Sequence, residues 1–118
     1  MVTQSTIQQL VDRIKQFDPE KIILFGSYAN GAPSDDSDVD LFVVKNIDIQ
    51  DIRQTRIEIR RSLFNIIWNN KIELDLFVDN EEHINYRTNI GDKFYEELLT
   101  KGKILYAKQG ISKRSATT

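Results

Sequence analysis

Apolar residues recur at helical spacing near the start of the chain. Ile7, Leu10, Val11, Ile14 and Phe17 alternate with Gln8, Gln9, Asp12, Arg13, Lys15 and Gln16. This spacing predicts an amphipathic helix over 7–17, stopped at Asp18-Pro19 because proline cannot continue the ladder. The period then changes. Lys21–Phe25 (KIILF) is a short, β-branched apolar run ending at Gly26, which predicts a buried strand. Residues 27–36 (SYANGAPSDD) hold small residues and turn formers, and predict a short helical turn followed by a loop. Asp38–Val44 (DVDLFVV) predicts a second strand, acidic at its start and apolar afterwards.

Apolar positions at Ile52, Ile59, Leu63, Phe64, Ile66 and Ile67, with basic residues between, predict one long helix to Trp68, broken by Asn69-Asn70. Ile72–Val78 (IELDLFV) alternates apolar and acidic residues and predicts a third strand. Residues 81–100 predict one or two helices interrupted near Gly91. Gly102 suits the position after a helix end, and Lys103–Ala107 (KILYA) a closing strand or extended segment. This order predicts an α/β (α+β) domain with a small mixed β-sheet flanked by helices over residues 1–107. The polar residues 108–118 predict a disordered tail.

Composition narrows the class. The 118 residues suit a single domain. Without cysteine, neither disulfides nor thiolate metal sites can form. Sixteen basic residues against eighteen acidic ones argue against a nucleic-acid coat, and no direct DNA binding is expected. No apolar run resembles a signal peptide or a membrane span, so a cytoplasmic protein is expected.

Two features suggest chemistry. Gly26-Ser27 stands where a buried strand hands over to a turn, so the backbone can approach a ligand and amides and a hydroxyl can meet phosphate. A glycine after a strand is, taken alone, ordinarily a turn. Asp38-Val39-Asp40 places two carboxylates on one face of the next strand. Like charges that close need a cation or solvent, and Mg²⁺ takes one or two protein carboxylates with water and phosphate completing its shell. A bare Asp-x-Asp reads more readily as an acidic turn, continued here by Asp35 and Asp36. Asp75 changes the balance. It interrupts an otherwise apolar run, where a charge is costly unless paired or metal-bound. Glu73 shares its face nearer the strand start, and Asp75 is preferred as lying deeper in the run. If the two strands are neighbours, three carboxylates meet at one end of the sheet, as a two-metal phosphoryl- or nucleotidyl-transfer site requires.

Other motifs fail. Asp36-x-Asp38-x-Asp40 imitates an EF-hand opening, but Leu41 stands where glycine is needed and Ile47 where glutamate is needed. Neither a P-loop nor a dinucleotide fingerprint is present. His83, the only histidine, lies in a polar stretch and reads as a surface residue. Arg53, Arg56, Arg60 and Arg61 form a basic stripe, ordinarily a solvated face, with an acidic partner or a triphosphate as the alternatives.

Taken together, Gly26-Ser27, ten intervening residues and Asp38-Val39-Asp40 resemble the signature of the DNA polymerase β-like nucleotidyltransferase superfamily. The stretch GSYANGAPSDDSDVDLFVV, with Ala29, Gly31 and Ser37-Asp38, is similar to its minimal nucleotidyltransferase branch, and the resemblance extends through Asp75 to Gly102–Tyr106. It implies two Mg²⁺ ions on Asp38 and Asp40, with Asp75 completing the second site and helping to deprotonate the acceptor. Gly26, Ser27 and Ser37 would serve the nucleotide. Members often carry arginine after Gly-Ser, whereas this chain has Tyr28, whose hydroxyl could substitute. Minimal members resemble antitoxins that adenylylate a tyrosine of a HEPN-domain ribonuclease with ATP. The resemblance thus implies AMP transfer to a HEPN toxin partner. The alternatives are a catalytically weak module acting by contact and a small-molecule nucleotidyltransferase.

Overall fold

The computed structural model describes residues 1–109. The predicted tail, apart from Lys108 and Gln109, lies outside the described residues. Lys108 itself is tied down: its N–H donates to the Glu20 carbonyl and its Nζ to Asp18 Oδ2, at 2.8 and 3.0 Å.

Helix α1 spans Gln4–Lys15 and starts earlier than its apolar stripe suggests. Thr3 caps it, its hydroxyl accepting the Thr6 N–H at 3.2 Å. Strand β1 is Lys21–Phe25, followed by a 3₁₀ turn at Gly26–Tyr28, the short helical turn expected there. Strand β2 is Val39–Val44. The single long helix expected over 52–68 is instead two, α2 (Ile52–Ser62) and α3 (Phe64–Asn70). Ser62 accounts for the break. Its hydroxyl donates to the Ile59 carbonyl at 2.6 Å, and its own carbonyl accepts Arg13 from α1 at 3.1 Å. Back-bonding of this kind bends helices, and the bend drives Leu63 fully into the core. Strand β3 is Leu74–Asp79, helices α4 and α5 are Glu81–Asn89 and Lys93–Lys101, and β4 is Lys103–Ala107.

The four strands form one sheet in the order β3-β2-β1-β4. β1 runs antiparallel to both β2 and β4, and β2 runs parallel to β3, so the sheet is mixed as expected. Alternation sorts the side chains into two faces. Ile22, Leu24, Val39, Leu41, Val43, Leu74, Leu76 and Val78 pack beneath α1, α2 and α3. Ile23, Phe42 and Val44 face Ile84, Leu98 and Leu99 of α4 and α5. Among the described residues no helix is long and apolar enough to cross a membrane.

Gly102 does follow a helix, but not for the expected reason. Its φ is −69°, open to any residue. What excludes a side chain is space, since a Cβ there would lie 2.3 Å from the Leu98 carbonyl oxygen and 2.6 Å from Ile23 Cγ2. Glycine lets β4 turn closely under α5.

Candidate active site

The alternation that buries Val39 and Leu41 turns Asp40 to the α4–α5 face of the sheet, at the end those helices leave open. Parallel pairing sets Asp40 directly beside Asp75 on β3, and Val39 beside Leu74. Asp38 precedes β2 and is exposed. The neighbouring strands thus bring Asp40 and Asp75 together, with Asp38 at the rim.

Asp75 differs from expectation in one respect: it is exposed rather than buried in its apolar run. The reason is that β3 is an edge strand, whose apolar residues Leu74, Leu76 and Val78 all face the α2 side. Glu73 lies just outside the strand.

Gly26 completes the arrangement. Its φ is +73°, in the left-handed region, and a Cβ on it would lie 2.1 Å from Asp40 Oδ2. The bare Cα is therefore the seat of the Asp40 carboxylate. Ser27 follows within the turn, at a helical start whose first amides lack intrahelical acceptors. Ser37 fastens the loop leading to Asp38: its Oγ accepts the Ser34 N–H at 2.8 Å and lies 3.2 Å from Ser34 Oγ. Tyr28 is turned away from this assembly. Its hydroxyl accepts the Val2 N–H at 2.9 Å and its ring packs on the α1 side, so it does not replace an arginine at phosphate.

The cluster is electrostatically frustrated. Burial, a hydrogen bond with Asp75 and the charges of Asp75 and Asp38 push the Asp40 carboxyl up to about 6. Its folded pKa therefore exceeds the unfolded value of 3.8, so the folded chain holds this proton longer. The associated stability is complete below pH 4 and is lost as pH rises through about 6. The full interval corresponds to about 3 kcal/mol, which solvent screening at this partly open site reduces to about 1 kcal/mol. Asp40→Asn is accordingly expected to exceed wild type in stability by about 1 kcal/mol at pH 7.5 without divalent metal. It should match wild type at pH 4. Urea unfolding at the two pH values checks this.

A hard divalent cation suits such a site. The donors are carboxylate oxygens, none of which is ion-paired with a cationic side chain among the described residues. Among those residues no three acidic or imidazole groups already close on one point. The pair Asp40–Asp75 nonetheless matches what Mg²⁺ takes from protein when water and phosphate supply the rest. The site is an open shelf. A hollow of about 1130 Å³ lies elsewhere, between residues 46–50 and α4.

A second polar cluster was not apparent from the sequence. Asp79, at the end of β3, is 5% exposed. Its Oδ2 accepts the Tyr95 hydroxyl at 2.6 Å and lies 2.5 Å from His83 Nδ1, while Oδ1 accepts the Asn80 N–H at 2.8 Å. His83 is thus held on a buried carboxylate rather than free on the surface. Burial and Asp79 push the Tyr95 hydroxyl well above its ordinary range, so it remains a neutral donor. The sequence signal was an aspartate ending an apolar run with histidine four residues on, one helical turn into α4. Asp79→Ala is expected to cost about 3 kcal/mol, because two partly buried groups lose their shared acceptor. Chemical denaturation measures it.

Comparisons with known proteins bear on the family and the fold. The family described as "Polymerase beta, Nucleotidyltransferase" matches residues 7–110. A relative from Methanocaldococcus jannaschii, MJ0604, named as a proposed protein adenylyltransferase, is 31% identical over 87 residues, covering 74% of this chain and 78% of its own. Solved structures share the fold. A toxin–antitoxin complex with AMP-PNP superposes with a TM-score of 0.58 at 22% identity, covering 92% of this chain and 76% of that one. A nucleotidyltransferase-type protein from Sulfolobus solfataricus gives 0.56 at 17% identity, over 90% and 81%. The MNT antitoxin complex with a tri-AMPylated HEPN toxin from Shewanella oneidensis gives 0.52 at 19%, over 90% and 73%. The chain belongs to the polymerase β nucleotidyltransferase family, and is a nucleotidyltransferase.

Proposed function

We propose that this chain is a cytoplasmic antitoxin that transfers AMP from ATP to a hydroxyl, a tyrosine's, on a HEPN-domain ribonuclease. The observation that carries the reading is the line formed across the sheet: Asp75 on β3, Asp40 beside it on β2, and Gly26-Ser27 at the end of β1. An acceptor, a cation and a phosphate chain each find a suitable group in that order. The names borne by the relative and by the solved neighbours support a protein acceptor and a HEPN partner.

In this reading Asp38 and Asp40 hold two Mg²⁺ ions and Asp75 completes the second site. When bound, the ions neutralise phosphate charge and lower the pKa of the attacking hydroxyl. Gly26 leaves room for the Asp40 carboxylate, and Ser27 offers its amide and hydroxyl to phosphate. Ser37 keeps Asp38 in place through Ser34 and can give its one proton to the nucleotide. Asp75 takes the proton of the acceptor hydroxyl. The acceptor oxygen bonds to the α-phosphorus, the bond from that phosphorus to the α–β bridging oxygen breaks, and pyrophosphate leaves. Incubation of the chain and its partner with ATP labelled at the α- or γ-phosphate tests this. Only the α-label should reach protein, and absence of both labels would reject it.

One observation favours a second reading, neutralisation by contact. Tyr28, where the family often has arginine, is committed to Val2 and offers phosphate nothing. Protection by the Asp38→Ala/Asp40→Ala variant would support it.

A further inference from the structure

The outer edge of β3 continues the candidate site away from the phosphate side. The Glu73 and Asp79 carbonyls accept from Val39 and Lys45 of the β2 segment. Parallel alternation then turns the backbone groups of Leu74, Leu76 and Val78 outward. Among the described residues, Arg60 donates to the Leu74 carbonyl at 2.9 Å, and no group hydrogen-bonds to the outward backbone of Leu76 and Val78. Beside this edge run two hollows of about 430 and 350 Å³, lined by β3 from Leu74 to Asp79 and by Arg53, Arg56, Ile57 and Arg60 of α2. Asp75 lines the first of them. The groove extends about 13 Å from Asp75 towards Asp79, on the side of β2 away from Gly26.

Arg53, Arg56 and Arg60 form no ion pair with a carboxylate among the described residues. Phe77, 37% exposed, contributes an aromatic wall two residues from Asp75 on the same face. An open strand edge, a cationic flank and an aromatic wall ending at a carboxylate fit an extended polypeptide better than a nucleotide. Strand edges are recognised by main-chain hydrogen bonds, with side-chain pockets setting specificity.

We propose that the acceptor hydroxyl is delivered by an extended acidic segment of the acceptor protein, which adds to the β3 edge and lays its carboxylates along Arg53 and Arg56. This rests on the reading of the chain as an AMP transferase acting on protein. The segment places its hydroxyl-bearing residue over Asp75 and Phe77, while ATP occupies the Gly26–Ser27 side.

The test uses the full chain, ATP, Mg²⁺ and two synthetic peptides, a tyrosine flanked by Val, Asp and Glu and its counterpart with lysines replacing the acids. The acidic peptide should be modified at least about tenfold more efficiently, with the preference fading as salt rises. Arg53→Glu/Arg56→Glu should raise KM for the acidic peptide about tenfold, leaving kcat and KM for ATP unchanged. Hydrogen exchange should show the Leu76 and Val78 amides protected when the acidic peptide is bound. A rise in KM for ATP would instead assign the arginines to the triphosphate and overturn the proposal. So would equal use of the two peptides, unprotected β3 amides, or modification of the intact partner but of neither peptide. If wild type modifies neither partner nor peptide, the transferase reading itself fails.

Discussion

Asp40→Ala should reduce AMP transfer by at least about a thousandfold while the fold persists. The side chain stands between Asp75 and the bare Cα of Gly26, so its loss removes the central donor of the proposed cation site. The packing cost should be small because the carboxylate lies at the open end of the sheet, outside both apolar clusters. Removing charge from a crowded site also relieves repulsion, so the inactive variant should unfold no earlier than wild type in metal-free buffer at pH 7.5. Mg²⁺ should raise the melting temperature of wild type and not of the variant, since only a state that binds a ligand is stabilised by it. Turnover, melting and circular dichroism on the same preparations separate loss of chemistry from loss of fold.

Gly26→Ala should be nearly as damaging, although it adds a single methyl group. The new Cβ would meet Asp40 Oδ2 at 2.1 Å, at a backbone φ of +73° that alanine rarely adopts. Either the carboxylate swings away or the Gly26–Tyr28 turn rearranges, and both displace the groups assigned to cation and phosphate. A loss of about a hundredfold in kcat/KM is expected, because small misplacements at reacting groups are costly. The accompanying destabilisation should be about 1–2 kcal/mol, from the backbone strain at positive φ, while movement of the carboxylate relieves the clash. Gly31→Ala is the control. Gly31 also has positive φ, but no atom lies within 4 Å of a Cβ there, so it should share the strain and keep most of the activity.

What the sequence conveyed about the fold followed from local pattern. DVDLFVV and IELDLFV read as strands because alternation is a property of the run itself, and both strands lie close to their expected bounds. The interruption near Gly91 was equally local. What escaped depended on distant residues. At the α2–α3 break the Ser62 carbonyl meets Arg13, 49 residues away. The exposure of Asp75 follows from β3 being an edge strand, which strand pattern does not reveal. Asp79 gains its burial and its Tyr95 partner from the packing of α5, 16 residues on. The spacing of Gly26 and Asp40 was visible in the sequence, but not the contact between them, which makes the glycine's missing Cβ a requirement of the carboxylate.

The most direct test of the proposed transferase is the intact mass of the partner protein after incubation with this chain, ATP and Mg²⁺. The Asp38→Ala/Asp40→Ala variant runs in parallel. A mass gain in whole AMP units with wild type alone is the predicted result. An unmodified partner that binds wild type and variant equally well would contradict it and leave neutralisation by contact as the function.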